Sequence, residues 1–215
     1  MTYTEIIKKL KAEANENNRL GMIRFGISPK GTLGVSTLVL RRMQKEIGKD
    51  QALSLRLWDS GIHEARILAA FIGEKEKVTE TQMEKWVKGV DSWDVCDQLC
   101  GNLFDKTSFA YKKVYEWVER EEEFVRRVGF VLMATLSVHD KTAKDKEFEN
   151  FFPLIKKYAT DKRNFVKKAV NWALRQIGKR NLALNKKAIK LAKEINDKNA
   201  IRELTSEAVQ RRLKK

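Results

Sequence analysis

The sequence predicts an all-α fold made of helix pairs, and three observations support this. Apolar residues recur at helical spacing almost throughout, and no segment shows the sustained alternation of a half-buried strand. In addition, FVRRVGFVLMATL from Phe124 is similar to FVKKAVNWALRQI from Phe165, 41 residues later. A helix-pair repeat of about 40 residues is typical of HEAT-like solenoids, in which one helix of each pair lines a concave surface. We therefore expect residues 1–215 to form a single HEAT-like helical-repeat domain, an α-α superhelix.

The individual helices follow from apolar residues three or four positions apart. In chain order, the clearest runs are Ile6, Ile7 and Leu10; Leu38, Leu40, Met43 and Ile47; Val125, Val128, Val131, Leu132 and Leu136; and Val166, Ala169, Val170, Ala173 and Ile177. Turn-forming residues, chiefly Gly, Asp and Asn, separate such runs and predict helix ends. These ends fall near residues 21–34, 48, 59–61, 73, 89, 107, 140–146, 161 and 181. The pattern predicts about eleven or twelve helices.

The chain carries a net charge of +15, and its basic residues are unevenly placed. Residues 162–193 contain eleven Lys or Arg and no acid, and residues 17–45 contain six, again without an acid. Such an excess favours a polyanionic partner, because neutralising phosphates releases counterions. If the repeats curve, these segments form two rims of a concave basic groove. Generic solubility is the alternative interpretation, although it does not require that acids be excluded from whole segments.

Several features narrow the class of protein. Residues 26–34, GISPKGTLG, lack the spacing and the GK[ST] ending of a P-loop, so they predict at most a flexible loop that touches phosphate. Cys96 and Cys100 lie four apart without a nearby histidine, which favours reduced thiols packed in a helix over a metal site or a disulfide. His63 and His139 are predicted to be capping or surface histidines. We expect neither a metal nor an organic cofactor.

No run approaches the roughly 20 apolar residues of a membrane span, and the N-terminus lacks the apolar core of a signal peptide. A cytoplasmic protein without a membrane partner is therefore expected. A monomer is expected as well, since a groove within one chain needs no second copy.

The segment DSWDVCDQLC, residues 91–100, places carboxylates among apolar residues. On a helix, Trp93 and Asp97 are four apart and share a face, whereas Asp94 points elsewhere and is expected to cap a helix or form a salt bridge. A second tryptophan, Trp172, lies in the acid-free segment 162–193, with Lys168 and Arg175 one helical turn away on either side. Each tryptophan can be core, but polar neighbours of this kind also suit stacking on a sugar or base.

The SWDVCD segment, the FVRRVGFVL helix and FVKKAVNWALRQ, in this order and spacing, resemble the AlkD family of DNA alkylation repair glycosylases. The resemblance extends from EIIKKLKAEAN near the N-terminus to AVQRRL near the C-terminus. It implies a curved, basic channel of HEAT-like repeats that binds duplex DNA. It also implies removal of N3- and N7-alkylated purines by hydrolysis of the N-glycosidic bond, without a metal or organic cofactor.

The resemblance also implies roles for single residues. Asp97 matches the catalytic aspartate, Trp93 and Trp172 match the aromatic pair around the deoxyribose of the lesion, and Arg127 matches a DNA-contacting arginine. Further candidate DNA contacts are Phe165, Arg175, Lys168 and Arg126, since Arg126 and Arg127 occupy the same repeat positions as Lys167 and Lys168. One departure concerns GVSTLVLRR, from Gly34, which lacks a proline that the family segment usually has.

A single carboxylate can suffice to cleave the N-glycosidic bond of an alkylated purine. Glycoside cleavage normally uses two carboxyl groups, one of which protonates the leaving group. An N3- or N7-alkylated purine is already cationic and leaves as a neutral base, so Asp97 alone can stabilise the positive charge that develops at C1′ and position a water molecule. The indoles of Trp93 and Trp172 would add cation–π attraction to the same sugar.

Two other functions compete with a glycosylase. The stronger is a noncatalytic HEAT-like protein that binds branched or damaged DNA; it needs the basic residues but not Asp97, whose charge would repel DNA. A helical-repeat scaffold for protein partners predicts mixed-charge surfaces, which the acid-free segments argue against.

Overall fold

The computed structural model describes residues 1–214, over which the chain is helical and contains no β-strand. The α-helices are α1 (Tyr3–Ala12), α2 (Glu16–Arg24), α3 (Thr37–Ile47), α4 (Gln51–Asp59), α5 (His63–Ile72), α6 (Glu80–Lys88), α7 (Trp93–Asn102), α8 (Ala110–Val118), α9 (Glu123–His139), α10 (Asp145–Glu149), α11 (Phe152–Tyr158), α12 (Asn164–Gly178), α13 (Leu182–Glu194), α14 (Lys198–Leu204) and α15 (Glu207–Leu213). The all-α prediction is confirmed. There are more helical segments than the eleven or twelve expected, because short helices such as α10, α11, α14 and α15 were not separated in the apolar pattern.

Side-chain caps fix the start of many helices. Thr2 and Glu5 form a reciprocal capping box at α1. Single-residue caps, whose side-chain oxygens accept a backbone N–H of the first turn, are Asn15, Ser36, Asp50, Thr79, Asn181, Asp197 and Ser206. Each such cap satisfies a donor that has no partner within its own helix and typically contributes about 1 kcal/mol. The local sequence therefore determines where these helices begin.

The chain forms two compact units, the first from Met1 to Phe109 and the second beginning at Ala110. In the first unit, α5 is central, and every one of its residues is buried. It packs against α3, α4 and α7. Because α5 is buried all round, its charged residues need partners inside the protein, and two of them, Glu64 and Arg66, hold neighbouring segments in place.

In the second unit, α9 packs against both α8 and α12, and α12 also packs against α13 and α14. Helices α9 and α12 carry the two copies of the 41-residue repeat, and the first aromatic residues of the copies, Phe124 and Phe165, touch with ring centroids 5.4 Å apart. A Cβ at Gly129 would lie 2.9 Å from the backbone nitrogen of Val118, so glycine permits the close approach of α8 and α9. The internal similarity thus corresponds to helices stacked side by side.

Cys96 and Cys100 are buried, reduced thiols within α7, as predicted. Burial raises the pKa of the Cys100 thiol well above its usual value, so this thiol is a packing group. Over residues 1–214, no helix has both the length and the apolar character needed to cross a bilayer. The same residues contain no cluster of three or more His, Cys, Asp or Glu side chains arranged to hold a metal ion.

Candidate active site

Helix α7 presents the face that the sequence predicted. Trp93 is its first residue and Asp97 lies one turn later, and both side chains are half-buried. The indole Nε1 of Trp93 donates a hydrogen bond to the backbone carbonyl of Phe25, with a distance of 3.1 Å. This bond fixes the indole against the end of α2. Helix α7 therefore offers a carboxylate beside an aromatic ring, with the ring held by backbone.

Asp94 points away from this face. Its Oδ2 lies 2.7 Å from Nε2 of His63, which is completely buried, and its Oδ1 accepts the backbone N–H of Val95. Burial alone would raise the pKa of Asp94, but the interactions with His63 and the hydrogen bond from the N–H of Val95 outweigh it, so the pKa lies below its usual value. Asp94 therefore points away from the face that carries Trp93 and Asp97, as predicted, and its side-chain partner is His63. The prediction of a capping or surface His63 was wrong, because tertiary packing encloses the ring and its Nε2 lies against Asp94 rather than capping α5.

Glu64, also completely buried, organises the segment that precedes α3. Its carboxylate accepts the backbone N–H groups of Leu33, Gly34 and Val35, with distances from 2.7 to 3.2 Å. Gly34 has φ +80°, and a Cβ there would lie 2.1 Å from the carbonyl oxygen of Asn15, so the turn requires glycine. The loop is thus fixed rather than flexible. The N–H groups of residues 33–35 bind this carboxylate, whereas Lys30 of the preceding loop is exposed, and contact of the loop with phosphate stays a prediction.

Arg41 lies beside the C-terminal end of α7. Its guanidinium donates to Oδ1 of Asn102 at 2.7 Å and stacks on the ring of Phe71, 3.6 Å from the centroid. Burial lowers the pKa of this group from its usual value. The first unit therefore places a cation of the acid-free segment 17–45 against the helix that carries Asp97.

Helix α12 in the second unit carries Trp172 in a half-buried position. With the Gln176 amide oriented to satisfy both of its groups, the indole Nε1 donates to the Gln176 side-chain oxygen at 2.8 Å. Gln176 is four residues further along α12, so this bond runs along one face of the helix. Trp172 is thus held by a side chain of its own helix, whereas Trp93 is held by the backbone of another segment.

Arg126 and Arg127 have intramolecular partners. Arg127 is buried, with 4% of its surface exposed, and its Nη1 donates to the carbonyl of Phe165 at 2.8 Å. Arg126 donates to the carbonyl of Val118 and pairs with Asp161 at 3.0 Å. The structure therefore gives both arginines a role in joining helices of the second unit, and their predicted contact with DNA stays a prediction.

The other predicted contacts on α12 differ in exposure. Lys168 is exposed, Phe165 is half-buried against Phe124, and Arg175 forms an ion pair with Glu203. Lys179 also bonds Glu203, at 2.7 Å. The pairing of Arg175 leaves Lys168 as the more accessible of these two predicted cations.

Comparison with known proteins identifies the family of this chain. A family model described as DNA alkylation repair enzyme matches residues 6–210. The chain belongs to the DNA alkylation repair enzyme family. The match spans both units, and it includes Trp93 and Asp97 of α7 as well as Trp172 of α12. A search of curated proteins finds no match.

A solved structure is described as "a new family of proteins related to the HEAT-like repeat DNA glycosylases with affinity for branched DNA structures". It is 20% identical, covers 99% of this chain and 96% of its own, and has a TM-score of 0.88. A likeness at this identity shows the fold. The HEAT-like helical repeat predicted from the 41-residue spacing is therefore confirmed for this member of the DNA alkylation repair enzyme family.

The sequence prediction missed the groups that fix α7 and the segment before α3. His63, Glu64, Arg41 and the carbonyl of Phe25 all lie far in sequence from Trp93. One signal was present: HEARILAAFI, residues 63–72, places three charged or titratable residues in an otherwise apolar helix. A helix that is apolar nearly all round is buried, so each of those polar groups needs a partner.

Proposed function

We propose that this protein is an alkylpurine DNA glycosylase that hydrolyses the N-glycosidic bond of cationic N3- and N7-alkylated purines in duplex DNA. Membership of the DNA alkylation repair enzyme family supports the biological role. The observation that carries the chemistry is the α7 face, where the half-buried carboxylate of Asp97 lies one turn from the fixed indole of Trp93.

In the proposed reaction, the bond from C1′ to the purine nitrogen breaks, and its electron pair stays with the base. The alkylated purine loses its positive charge and departs as a neutral molecule, so no general acid is needed. Positive charge then develops on the sugar, where the carboxylate of Asp97 stabilises it; the effect grows as solvent is displaced by DNA. A water molecule positioned by the same carboxylate adds its oxygen to C1′ and releases a proton. The product is an abasic site.

The neighbouring groups support a specific assignment to Asp97. Asp94 points to His63 and to the N–H of Val95, away from the face that carries Trp93 and Asp97, so it cannot exchange roles with Asp97. Trp93 and Trp172 are proposed to hold the deoxyribose, where indole faces attract the developing cation. The chemistry requires no metal or organic cofactor, and a cytoplasmic monomer remains our expectation.

Duplex binding is proposed to rest on the acid-free segments. Lys168 is exposed on α12 and suited to contact phosphate, and Phe165 and Arg175 lie on the same helix. Arg126 and Arg127 are proposed to hold α9 against its neighbours and, as the family resemblance implies, to contribute to the DNA-binding surface.

A noncatalytic DNA-binding protein is the second candidate. The structural neighbour with the same fold is described as having affinity for branched DNA structures. A binder needs no carboxylate beside the indole, so the α7 face favours the enzyme. The two candidates make opposite predictions for a single experiment.

The test is single-turnover excision from a duplex with one N7-methylguanine, read as alkali-labile strand breaks. Asp97→Asn should slow excision by about 10²- to 10³-fold, by analogy with the loss of one preorganised electrostatic group, while DNA affinity changes little. Asp59→Asn is the matched control, because Asp59 is an exposed aspartate of the same unit that pairs only at the surface with Lys85. If the intact protein binds DNA, prefers a three-way junction and excises nothing, the protein is a branched-DNA binder.

A further inference from the structure

Phe25 is an aromatic residue that the fold leaves outside the core. It follows α2 directly, and 73% of its surface is exposed. Its neighbour two residues later, Ile27, is buried, with 5% exposed. The chain therefore turns sharply here and places one apolar residue inside and the other outside. A single exposed apolar side chain is common on protein surfaces; Phe25 is distinguished by the fixed backbone that carries it and by the charges around it.

The backbone that carries Phe25 is fixed on both sides. Its carbonyl accepts the hydrogen bond from Nε1 of Trp93, and its N–H donates to the carbonyls of Gly21 and Met22. Further along, the carboxylate of Glu64 holds the loop at residues 33–35. The ring of Phe25 is thus presented by a backbone tied to the same indole that, under the proposed function, contacts the sugar of the lesion.

The surroundings of Phe25 favour nucleic acid as the partner. Phe25 lies within residues 17–45, which contain six Lys or Arg and no acid. Arg24 and Lys30, on either side of it in sequence, are both exposed. Phosphates suit these cations, and an aromatic ring among them suits the flat face of a base. A DNA duplex offers phosphates to the cations and the face of a base to the ring, so it matches both features of this surface.

We infer that Phe25 inserts its ring at a base step next to the alkylated nucleotide and partly unstacks that step. This inference rests on the proposed function, because it takes the position of the lesion from Trp93 and Asp97. Apolar side chains that enter a base step unstack it and kink the duplex. Here the insertion would open the stack beside the lesion while the sugar stays against α7, so the purine need not enter a pocket in the protein.

The experiment places 2-aminopurine, a base whose fluorescence rises on unstacking, on either side of an N7-methylguanine. The protein is the full chain with Asp97→Asn, so that the duplex remains intact during the measurement. Binding should raise the fluorescence at one of the two positions. Adding Phe25→Ala should remove that rise, and Phe25→Trp should preserve it. In the otherwise intact protein, Phe25→Ala should slow excision roughly tenfold, the scale of one lost base–aromatic stack.

Leu38→Ala is the matched control. Leu38 is an apolar residue of the same acid-free segment, 71% exposed, and its removal should leave both the fluorescence rise and the excision rate unchanged. A fluorescence rise that Phe25→Ala leaves at full size, at saturating protein, would overturn the inference. It would also be overturned if sedimentation showed DNA-independent dimers that Phe25→Ala dissociates while the fluorescence rise persists, since the ring would then contact a second copy of the chain.

The failure of the Phe25 inference can be distinguished from the failure of the proposed function. If the intact protein excises N7-methylguanine and Phe25→Ala changes neither reading, the glycosylase assignment stands and the insertion fails. If the intact protein excises nothing, the glycosylase assignment fails, and a Phe25-dependent fluorescence rise still reports insertion into DNA.

Discussion

The two units of the molecule use their charged residues differently. In the first, acids have partners that fix neighbouring segments: Asp94 of α7 pairs with the buried His63, and the buried Glu64 binds the loop before α3. In the second, the cations predicted to face DNA are tied to carbonyls and carboxylates, as with Arg127 and Arg175. The comparison shows that only charged side chains without strong partners inside the protein are available to a ligand. The number of charged residues in the sequence does not reveal which ones these are.

The largest effect is expected on stability, when matched positions of the two repeat copies are substituted. Arg127 and Lys168 are 41 residues apart, yet the first is buried and bonded to the carbonyl of Phe165, and the second is exposed. Arg127→Met should lower the free energy of unfolding by about 3 kcal/mol, because it removes a buried charged donor from its acceptor. Lys168→Met should change it by less than about 0.5 kcal/mol. Urea unfolding followed by circular dichroism measures both, and equal effects would contradict the structural role of Arg127.

The next prediction tests the contact between Asp94 of α7 and the buried His63. Asp94→Asn should destabilise the protein by about 2 kcal/mol at neutral pH, since it removes a charged hydrogen-bond acceptor. The pKa of Asp94 is lowered in the folded protein, so its contribution is complete above the unfolded value of about 3.9 and is lost as the pH falls through the lower folded value. The difference between the two proteins should therefore shrink below about pH 4. Asp59→Asn, at an exposed site, should show little difference at neutral pH. An effect of Asp94→Asn that stays constant down to about pH 2 would refute the lowered pKa of Asp94.

A smaller effect, on the rate of excision, is expected from the hydrogen bond that holds Trp172. Trp172 is held by the side chain of Gln176, whereas Trp93 is held by a backbone carbonyl that no side-chain change removes. Gln176→Met keeps the length of the side chain but removes the acceptor, and should slow excision of N7-methylguanine about fivefold, equivalent to one neutral hydrogen bond. Near-UV circular dichroism should report a changed indole environment while stability changes little. An unchanged excision rate would show that the orientation of Trp172 does not depend on Gln176.

The smallest effect is expected at Lys168. Lys168→Ala should weaken duplex binding only modestly and reduce the slope of log affinity against log salt by about one, the signature of a single phosphate contact. Lys187→Ala is a suitable comparison, because Lys187 lies in the same acid-free segment but pairs with Glu149. Fluorescence anisotropy between about 50 and 200 mM salt measures both slopes. If the two variants give the same slope, Lys168 is not a phosphate contact.

Much of the candidate site was predictable because it depends on spacing along one helix. Trp93 and Asp97 had to share a face once residues 93–102 were helical, and Asp94 had to leave it. The repeat at Phe124 and Phe165 likewise predicted two similar helices, which pack together as α9 and α12. The groups around these helices were not predictable, since they approach from segments about 30 or more residues away.

The sequence by itself determined the helices, many of their starting residues, the repeat and the pairing of an indole with a carboxylate on one helical face. Local spacing and capping suffice for these, because each depends on residues within a turn or two. Only the tertiary structure decided that Arg127 is buried, that His63 and Glu64 are enclosed with specific partners, and that Phe25 stands exposed beside Trp93. Those outcomes depend on which helices meet and at what distance, and a buried polar group acquires its partner only when packing has brought that partner within reach.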